Sequence, residues 1–483
     1  MTVLADDAAE CFETLIPARL DRLPWCRFHW LLVVGLGITW ILDGLEVTLM
    51  GAVAAVLQRN DVLGLSAAQI GFISSCYVAG AVLGALMLGH LTDRFGRRRF
   101  FFLSLSTYLV GVGLTAVSSS LRSLALFRFV TGIGIGGEYC AVNSAIDELI
   151  PARLRGRVDL MINGSFWIGA AAGSLMTLLV LNPALFSRDL GWRIGFAIGP
   201  LIGVVILYLR RFIPESPRWL LTHGRLSEAD ATVRRLEFAA FGNEVPADPP
   251  AEFRLAIRPR RHFGLKVTLK VLIGEYRHRA LLGLGLMSAQ AFFYNAIFFT
   301  YALVLNRYYL VPAEDVGLYL LPFAVGNFAG PFLLGGFFDT IGRRIMIALS
   351  FTASGMILLL SGWLFLENRL TADLQAGFWT AMFFFGSAAA SSAYLTVSEL
   401  FPLELRASAI AIFYAAGTAV GGVIGPWLFG YLIDTGSRRM LFLGYVIAAA
   451  LMIGAATLEV LLGVNAEQRS LEELAAPLSA TKY

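Results

Sequence analysis

Charge is scarce in this sequence. Only 15% of its 483 residues are Asp, Glu, Lys or Arg, against 57% hydrophobic residues and a mean hydropathy of +0.70. A soluble domain carries about 25% charged residues because they keep its surface in water, so this composition argues against the soluble globular class. Cysteine is scarce too: Cys11, Cys26, Cys76 and Cys140 are scattered without ligand spacing, which argues against a disulfide or zinc framework and reads as buried thiols. The five histidines lie at the edges of apolar runs or between them, and neither a nucleotide-binding loop nor H-E-x-x-H is present. No enzymatic activity, cofactor or metal is therefore expected. The first 25 residues contain Asp6, Asp7, Glu10 and Glu13 and lack the basic start and short apolar block of a secretory signal, so the N-terminus is expected to stay on the cytoplasmic side.

What is plentiful is long apolar runs. A hydrocarbon core needs about 20 apolar residues per helical span. Candidate spans lie at 28–52, 68–90, 99–118, 122–146, 158–182 and 191–212, then at 280–308, 315–338, 344–366, 374–397, 407–432 and 439–463. Their length predicts helices, since barrel strands would be about 10 residues of alternating polarity. The expected fold is an all-α membrane protein with twelve transmembrane helices in two pseudo-symmetric six-helix bundles. The expected domains are a cytoplasmic tail (1–27), a first bundle (28–212), a cytoplasmic linker (213–279), a second bundle (280–463) and a cytoplasmic tail (464–483). With both termini inside, most of the 38 basic residues fall on the inner side, Arg438 and Arg439 in an outer loop being an exception. In the linker, Ser227-Glu-Ala-Asp230 opening onto Ala231–Ala240 reads as a capped amphipathic helix.

Two motifs recur six spans apart. Gly89-His-Leu-Thr-Asp93-Arg-Phe-Gly96-Arg97-Arg98 matches Gly335-Gly-Phe-Phe-Asp339-Thr-Ile-Gly342-Arg343-Arg344, and Glu148-Leu-Ile-Pro151-Ala-Arg-Leu-Arg155 matches Glu399-Leu-Phe-Pro402-Leu-Glu-Leu-Arg406. Two motifs repeated in the same order point to an internal duplication. The glycines allow sharp turns and close helix approach, and the carboxylates can meet the arginines or helix starts. Asp93, Arg97, Glu148, Arg155, Asp339, Arg343, Glu399 and Arg406 are the expected cytoplasmic gate.

With these motifs the chain resembles the major facilitator superfamily over about residues 28 to 465. Arg128-Phe-Val-Thr-Gly132-Ile-Gly134-Ile-Gly136, Gly191-Trp192-Arg193 and Pro214-Glu-Ser-Pro-Arg218-Trp219 are similar to its sugar-porter-like branch. Span 10, Ser391-Ser-Ala-Tyr-Leu-Thr-Val-Ser-Glu399, lacks the Pro-Trp pair of the sugar porters proper. Asp43-Gly-Leu-Glu46 resembles an element of aromatic-acid:proton symporters, and Gly136-Gly-Glu138-Tyr139 one of phosphate and metabolite:proton symporters. Overall the likeness is to bacterial metabolite:proton symporters of the nicotinate-permease and synaptic-vesicle-protein-2-related type. It implies secondary active transport of a small organic acid, proton-coupled, in a bacterial inner membrane. Alternatives are a sugar or organic-cation carrier, a uniporter, or a transporter-like sensor. The expected partners are the small-molecule substrate, protons and the lipid bilayer; no nucleic acid is expected, and the chain is expected to act as a monomer.

A charge at mid-membrane costs roughly 2.5–3.5 kcal/mol, so each one asks for a reason. Asp43, Glu46, Arg128 and Glu138 are such charges, and they are the candidate proton-coupling residues. Asp43 and Arg128 lie at similar depth, about 13 and 9 Å from the outer ends of their spans, which allows an ion pair between them. Glu138 has no cation in its own span. Arg128 is also a candidate substrate ligand, since a guanidinium matches a carboxylate in two hydrogen bonds. Gln290, Tyr294 and Tyr301 form one predicted helical stripe in span 7, with Asn295 at its margin, and with Trp40 and Trp167 they complete the expected substrate site. Asn163, Asn327, Tyr394 and Tyr414 are further candidates.

Overall fold

Backbone groups in lipid must be paired internally, and a helix pairs them within one segment. The computed structural model describes residues 12–211, 214–250, 254–257, 265–401 and 403–465, with the backbone alone for some helix ends. In chain order the elements are β1 (Phe12–Thr14), α1 (Ile16–Asp21), α2 (Arg27–Leu57), α3 (Ala67–Phe95), α4 (Arg97–Ala116), α5 (Leu121–Leu149), α6 (Ala152–Val180) and α7 (Arg188–Arg210). Next come α8 (Pro217–Thr222), α9 (Leu226–Phe241), β2 (Leu255–Ile257), α10 (Leu265–Gly274), α11 (Arg277–Phe298), α12 (Tyr301–Tyr309), α13 (Val316–Thr340), α14 (Arg343–Leu366) and α15 (Ala372–Glu399). The last are α16 (Leu403–Gly417), a π-helical turn (Thr418–Gly422), α17 (Ile424–Asp434) and α18 (Arg438–Leu462). Among the described residues ten helices are long and apolar enough to cross a membrane. With α5 and α15, of 29 and 28 residues, they form two sets of six crossings.

The two sets pack alike. Contacts of α3 with α5, α2 with α6 and α4 with α7 are answered by α13 with α15, α11 with α17 and α14 with α18. Between the sets, α3 packs on α17 and α6 on α13, which is the same relation taken from either half. Small residues make the seams: a Cβ at Gly132 or Gly136 of α5 would be driven into the carbonyl oxygens of Tyr77 and Ala81 of α3. Outward, Leu201, Val204, Val205, Phe332 and Leu461 are exposed, a surface that suits acyl chains rather than water.

Two spans are not the single helices the apolar runs suggested. The seventh breaks between Phe298 and Tyr301, and the eleventh is interrupted by the π-helical turn. Gly421 of that turn lies against the Ser288 carbonyl of α11, where a side chain would not fit. Helices α5 and α6 run beyond their expected ends, so Glu148 and Arg155 sit within helix termini rather than in a loop. The repeated motif does repeat a turn: Gly96 and Gly342 precede α4 and α14 with φ of 98° and 114°, values that L side chains rarely adopt. Gly335, by contrast, has open space where its Cβ would be, so it serves no close approach.

At the end of the molecule away from α1, α8 and α9 the halves are joined. Asp434, just at the end of α17, accepts hydrogen bonds from the Ala67 and Ala68 backbone N–H groups at 2.8 and 2.7 Å, capping the start of α3 in the other half. Two turns deeper along α3 the Ser75 hydroxyl donates to the Val423 carbonyl at 2.7 Å. The basic residues at this end are also placed by chemistry. Arg193 of α7 donates to the Ala116 and Ser118 carbonyls past the end of α4, and Arg438 donates to the Phe365 carbonyl near the end of α14. Arg438 is thus the first residue of a helix rather than a loop residue, and it satisfies a helix C-terminus.

The opposite end carries α1, α8 and α9. Strand β1 pairs antiparallel with β2, Phe12 opposite Ile257. Helix α1 lays Ile16 and Leu20 against Ala229, Val233 and Leu236 of α9. Arg19 and Arg22 both bond the buried Glu237 of α9, and Arg19 also reaches Asp230 at 2.7 Å. Helix α9 occurs where the sequence predicted it, but it starts at Leu226, so Ser227 is inside the helix and does not cap it.

Candidate functional site

The expensive charges are gathered by four helices of the first half into two layers. In the layer nearer the end where Asp434 caps α3, α2 supplies Asp43 and Glu46, α3 Tyr77 and α5 Arg128, all buried. The Arg128 guanidinium contacts the Glu46 carboxylate and lies over the Tyr77 ring, 4.4 Å from its centroid. Asp43 instead accepts a hydrogen bond from the Tyr77 hydroxyl at 3.1 Å. The expected Asp43–Arg128 ion pair is therefore replaced by Glu46–Arg128. Asp43 and Glu46 are three residues apart and share a helix face, so spacing alone did not decide between them.

In the second layer, Glu138 of α5 is paired with Arg210 of α7. The cation absent from the span of Glu138 itself is thus supplied by another span. Arg210 is fully buried and also donates to the Thr39 hydroxyl of α2 and the Phe101 carbonyl of α4, each at 2.8 Å. The Ser104 hydroxyl donates to Glu138 at 2.8 Å. Sequence reasoning missed Arg210 because it ends a span beside Arg211, where inner-loop arginines are ordinary. It also passed over Glu459 of α18, another buried acid, which is 1% exposed and has no hydrogen-bond partner for Oε2.

Beside the second layer is an aromatic group that draws on both halves. Trp40 of α2 meets Tyr139 of α5 edge to face at 4.9 Å, and Tyr139 stacks on Tyr414 of α16 at 4.7 Å with 15° between the planes. Tyr394 of α15 is 5.6 Å from Tyr139, and its phenol faces Gln290 of α11. Trp40 Nε1 is buried and meets no acceptor among the described residues. Further out, Trp167 of α6 is 6.3 Å from Tyr294 of α11, whose hydroxyl donates to Asn327 of α13 at 2.6 Å.

Other predicted ligands are placed differently. Asn295 donates back to the Ala291 carbonyl of its own helix at 2.7 Å. Tyr301 does not continue the Gln290–Tyr294 stripe, because the helix breaks before it; it is fully buried against Phe323 and beside Gly51 of α2, in the joined end of the molecule. Of the expected gate, Arg343 is half-buried, and the side chains of Asp93, Arg97, Glu148, Arg155, Asp339, Glu399 and Arg406 lie outside the described residues. Among the described residues no group of three His, Cys, Asp or Glu side chains is placed to hold a metal.

Comparison with known proteins places this geometry. The family model described as "Sugar (and other) transporter" matches residues 37–475. The niacin transporter NiaP of Acinetobacter baylyi is 25% identical over 463 residues, covering 95% of this chain and 99% of its own. The 4-hydroxybenzoate transporter PcaK of the same organism is 32% identical over 214 residues, 43% of this chain and 44% of its own. Among solved structures, the proton:xylose symporter XylE bound to 6-bromo-6-deoxy-D-glucose superposes with a TM-score of 0.72 at 19% identity, covering 92% of this chain and 98% of that one; at that identity the likeness concerns the fold. With two alike sets of six crossings and a family match over nearly its whole length, the chain belongs to the sugar (and other) transporter family of the major facilitator superfamily, and is a multi-pass membrane transporter of small metabolites.

Proposed function

We propose that the chain carries a small aromatic organic acid across a bacterial inner membrane by alternating access, together with a proton. The observation that carries this reading is the Trp40–Tyr139–Tyr414–Tyr394 group, which takes residues from both halves and includes an indole N–H with no partner. A planar ring can replace the Tyr139–Tyr414 stack, and an acceptor atom on the substrate can take the Trp40 N–H. The names of the niacin and 4-hydroxybenzoate transporters support the same substrate class.

Coupling follows from competition for a buried cation. Arg128 holds Glu46, and Tyr77 holds Asp43. When an organic carboxylate takes the guanidinium, the acid it displaces is left in a medium where a bare charge is expensive, and it takes a proton. One anion and one proton then cross together with no net charge. The displaced acid is Glu46, and Asp43, three residues away on the same helix, is the second group to which the proton can go, while Glu138 is tied to Arg210. The repeated Asp93, Glu148, Asp339 and Glu399 motifs with their arginines form the cytoplasmic gate, with both termini inside.

Two measurements test the proposal. In a thermal-shift screen of the purified protein, nicotinate or 4-hydroxybenzoate is expected to stabilise it, whereas stabilisation by sugars alone overturns the substrate class. In vesicles with an imposed pH gradient, Asp43→Asn or Glu46→Gln is expected to abolish gradient-driven uptake while leaving counterflow exchange. Equal gradient-driven uptake by wild type and both variants sinks the coupling scheme.

A further inference from the structure

We infer that Arg210 is a positioning residue for the aromatic site, acting through its contacts with Thr39 and Glu138 on the adjacent side chains Trp40 and Tyr139. The inference rests on the reading of that site as the place where the substrate ring binds. Trp40 follows Thr39 on α2, and Tyr139 follows Glu138 on α5. One guanidinium on α7 bonds both Thr39 and Glu138, and its remaining bond goes to the Phe101 carbonyl of α4. Ser104 of α4 holds the other side of Glu138. Four helices are thus fixed to one another at the level where Trp40 meets Tyr139 at 4.9 Å.

The geometry explains why an arginine stands there. Its planar fork spans two acceptors on different helices at fixed separation, whereas a lysine ammonium is a single point on a flexible stem. The rotation of α2 relative to α5 decides whether the Trp40 edge faces the Tyr139 ring, and an edge-to-face pair tolerates little rotation. None of the three bonded groups, the Thr39 hydroxyl, the Glu138 carboxylate and the Phe101 carbonyl, has to touch substrate for the brace to act.

Thr39→Val keeps the shape of the side chain and removes the hydroxyl, which is the acceptor for Arg210 and also donates to the Gly35 carbonyl of its own helix. It is expected to raise the KM for nicotinate or 4-hydroxybenzoate about tenfold, the factor carried by one hydrogen bond to a charged group, with the maximal rate within about twofold of wild type. Thr39→Ser, which keeps the oxygen, is expected to restore the wild-type KM; a loss that came only from weakened folding would instead appear as less protein and a lower maximal rate. A second measurement needs no ligand. In protein labelled with 5-fluorotryptophan, with the Trp40 resonance assigned through Trp40→Phe, Glu138→Gln and Arg210→Lys are expected to shift or broaden that resonance. An unmoved Trp40 resonance in both variants overturns the inference, as does an unchanged KM in Thr39→Val when Trp40→Ala raises it. If the resonance moves but the wild type transports no aromatic acid, the positioning stands and the assignment of substrate falls.

Discussion

At the scale of the residue, each buried charge in the first half has a named partner, and the two arginines are held differently. Arg128 meets one carboxylate and an aromatic face, whereas Arg210 is bonded on four sides by α2, α4 and α5. Removing one partner of such a pair leaves an uncompensated charge, while replacing both with apolar groups of similar volume removes the problem. Arg210→Met alone is therefore expected to destabilise the protein by about 3–5 kcal/mol, and Glu138→Leu with Arg210→Met to recover most of it. Unfolding midpoints in detergent check both. The positions Asp43, Glu46, Arg128 and Glu138 were legible in the sequence because a charge stands out within an apolar run. Their pairing was not, since it depends on how each helix is rotated about its axis. Arg210 was hidden by position, at a span end where an arginine is commonplace.

At the scale of the element, run length predicted all the crossings, yet the breaks in the seventh and eleventh left no clear mark. Neither break contains proline: the first falls in Phe298-Phe-Thr-Tyr301, and the second in Thr418-Ala-Val-Gly-Gly422. Both occur where another helix comes close, so the cause is in the neighbour rather than in the segment itself. Gly51 of α2 accommodates Tyr301, and α11 presses on the π-helical turn. The cap of α3 by Asp434 was equally illegible, because the two residues are far apart in sequence and belong to different halves. In the alternating access proposed above, that cap has to break whenever this end opens. Asp434→Asn keeps the shape but loses the charge, and is expected to raise the population open to the outside by about tenfold, the effect of weakening hydrogen bonds to a charged group. Faster maleimide labelling of a cysteine placed at Ala313, beside the cleft between the end of α2 and the turn after α12, checks it in a background without the native cysteines.

At the scale of the whole molecule, the repeated motifs and twelve apolar runs made the duplicated architecture legible, and the family match agrees with it. The contact of the N-terminal segment with α9 was not legible, because α1 is only six residues long and its partner lies beyond the whole first set of crossings. This contact has a pH dependence. Burial alone would raise the Glu237 carboxyl, but the hydrogen bonds from Arg19 and Arg22, with their charges, outweigh it and hold it below its ordinary 4.5. A lowered folded value stabilises the docked state above the ordinary value, and that stabilisation is lost as the pH falls through the folded one. A nitroxide at Glu13 is therefore expected to be immobilised above the ordinary carboxylate value and to gain mobility as the pH falls well below it. Mobility unchanged by acid would mean that Glu237 does not hold α1. The pairing of β1 with β2 also sets an order of assembly. Phe12 leaves the ribosome first but cannot find its strand partner until Ile257 has been made, after all six crossings of the first half. Residues 12–14 therefore take their place only after the helices of that half have been made.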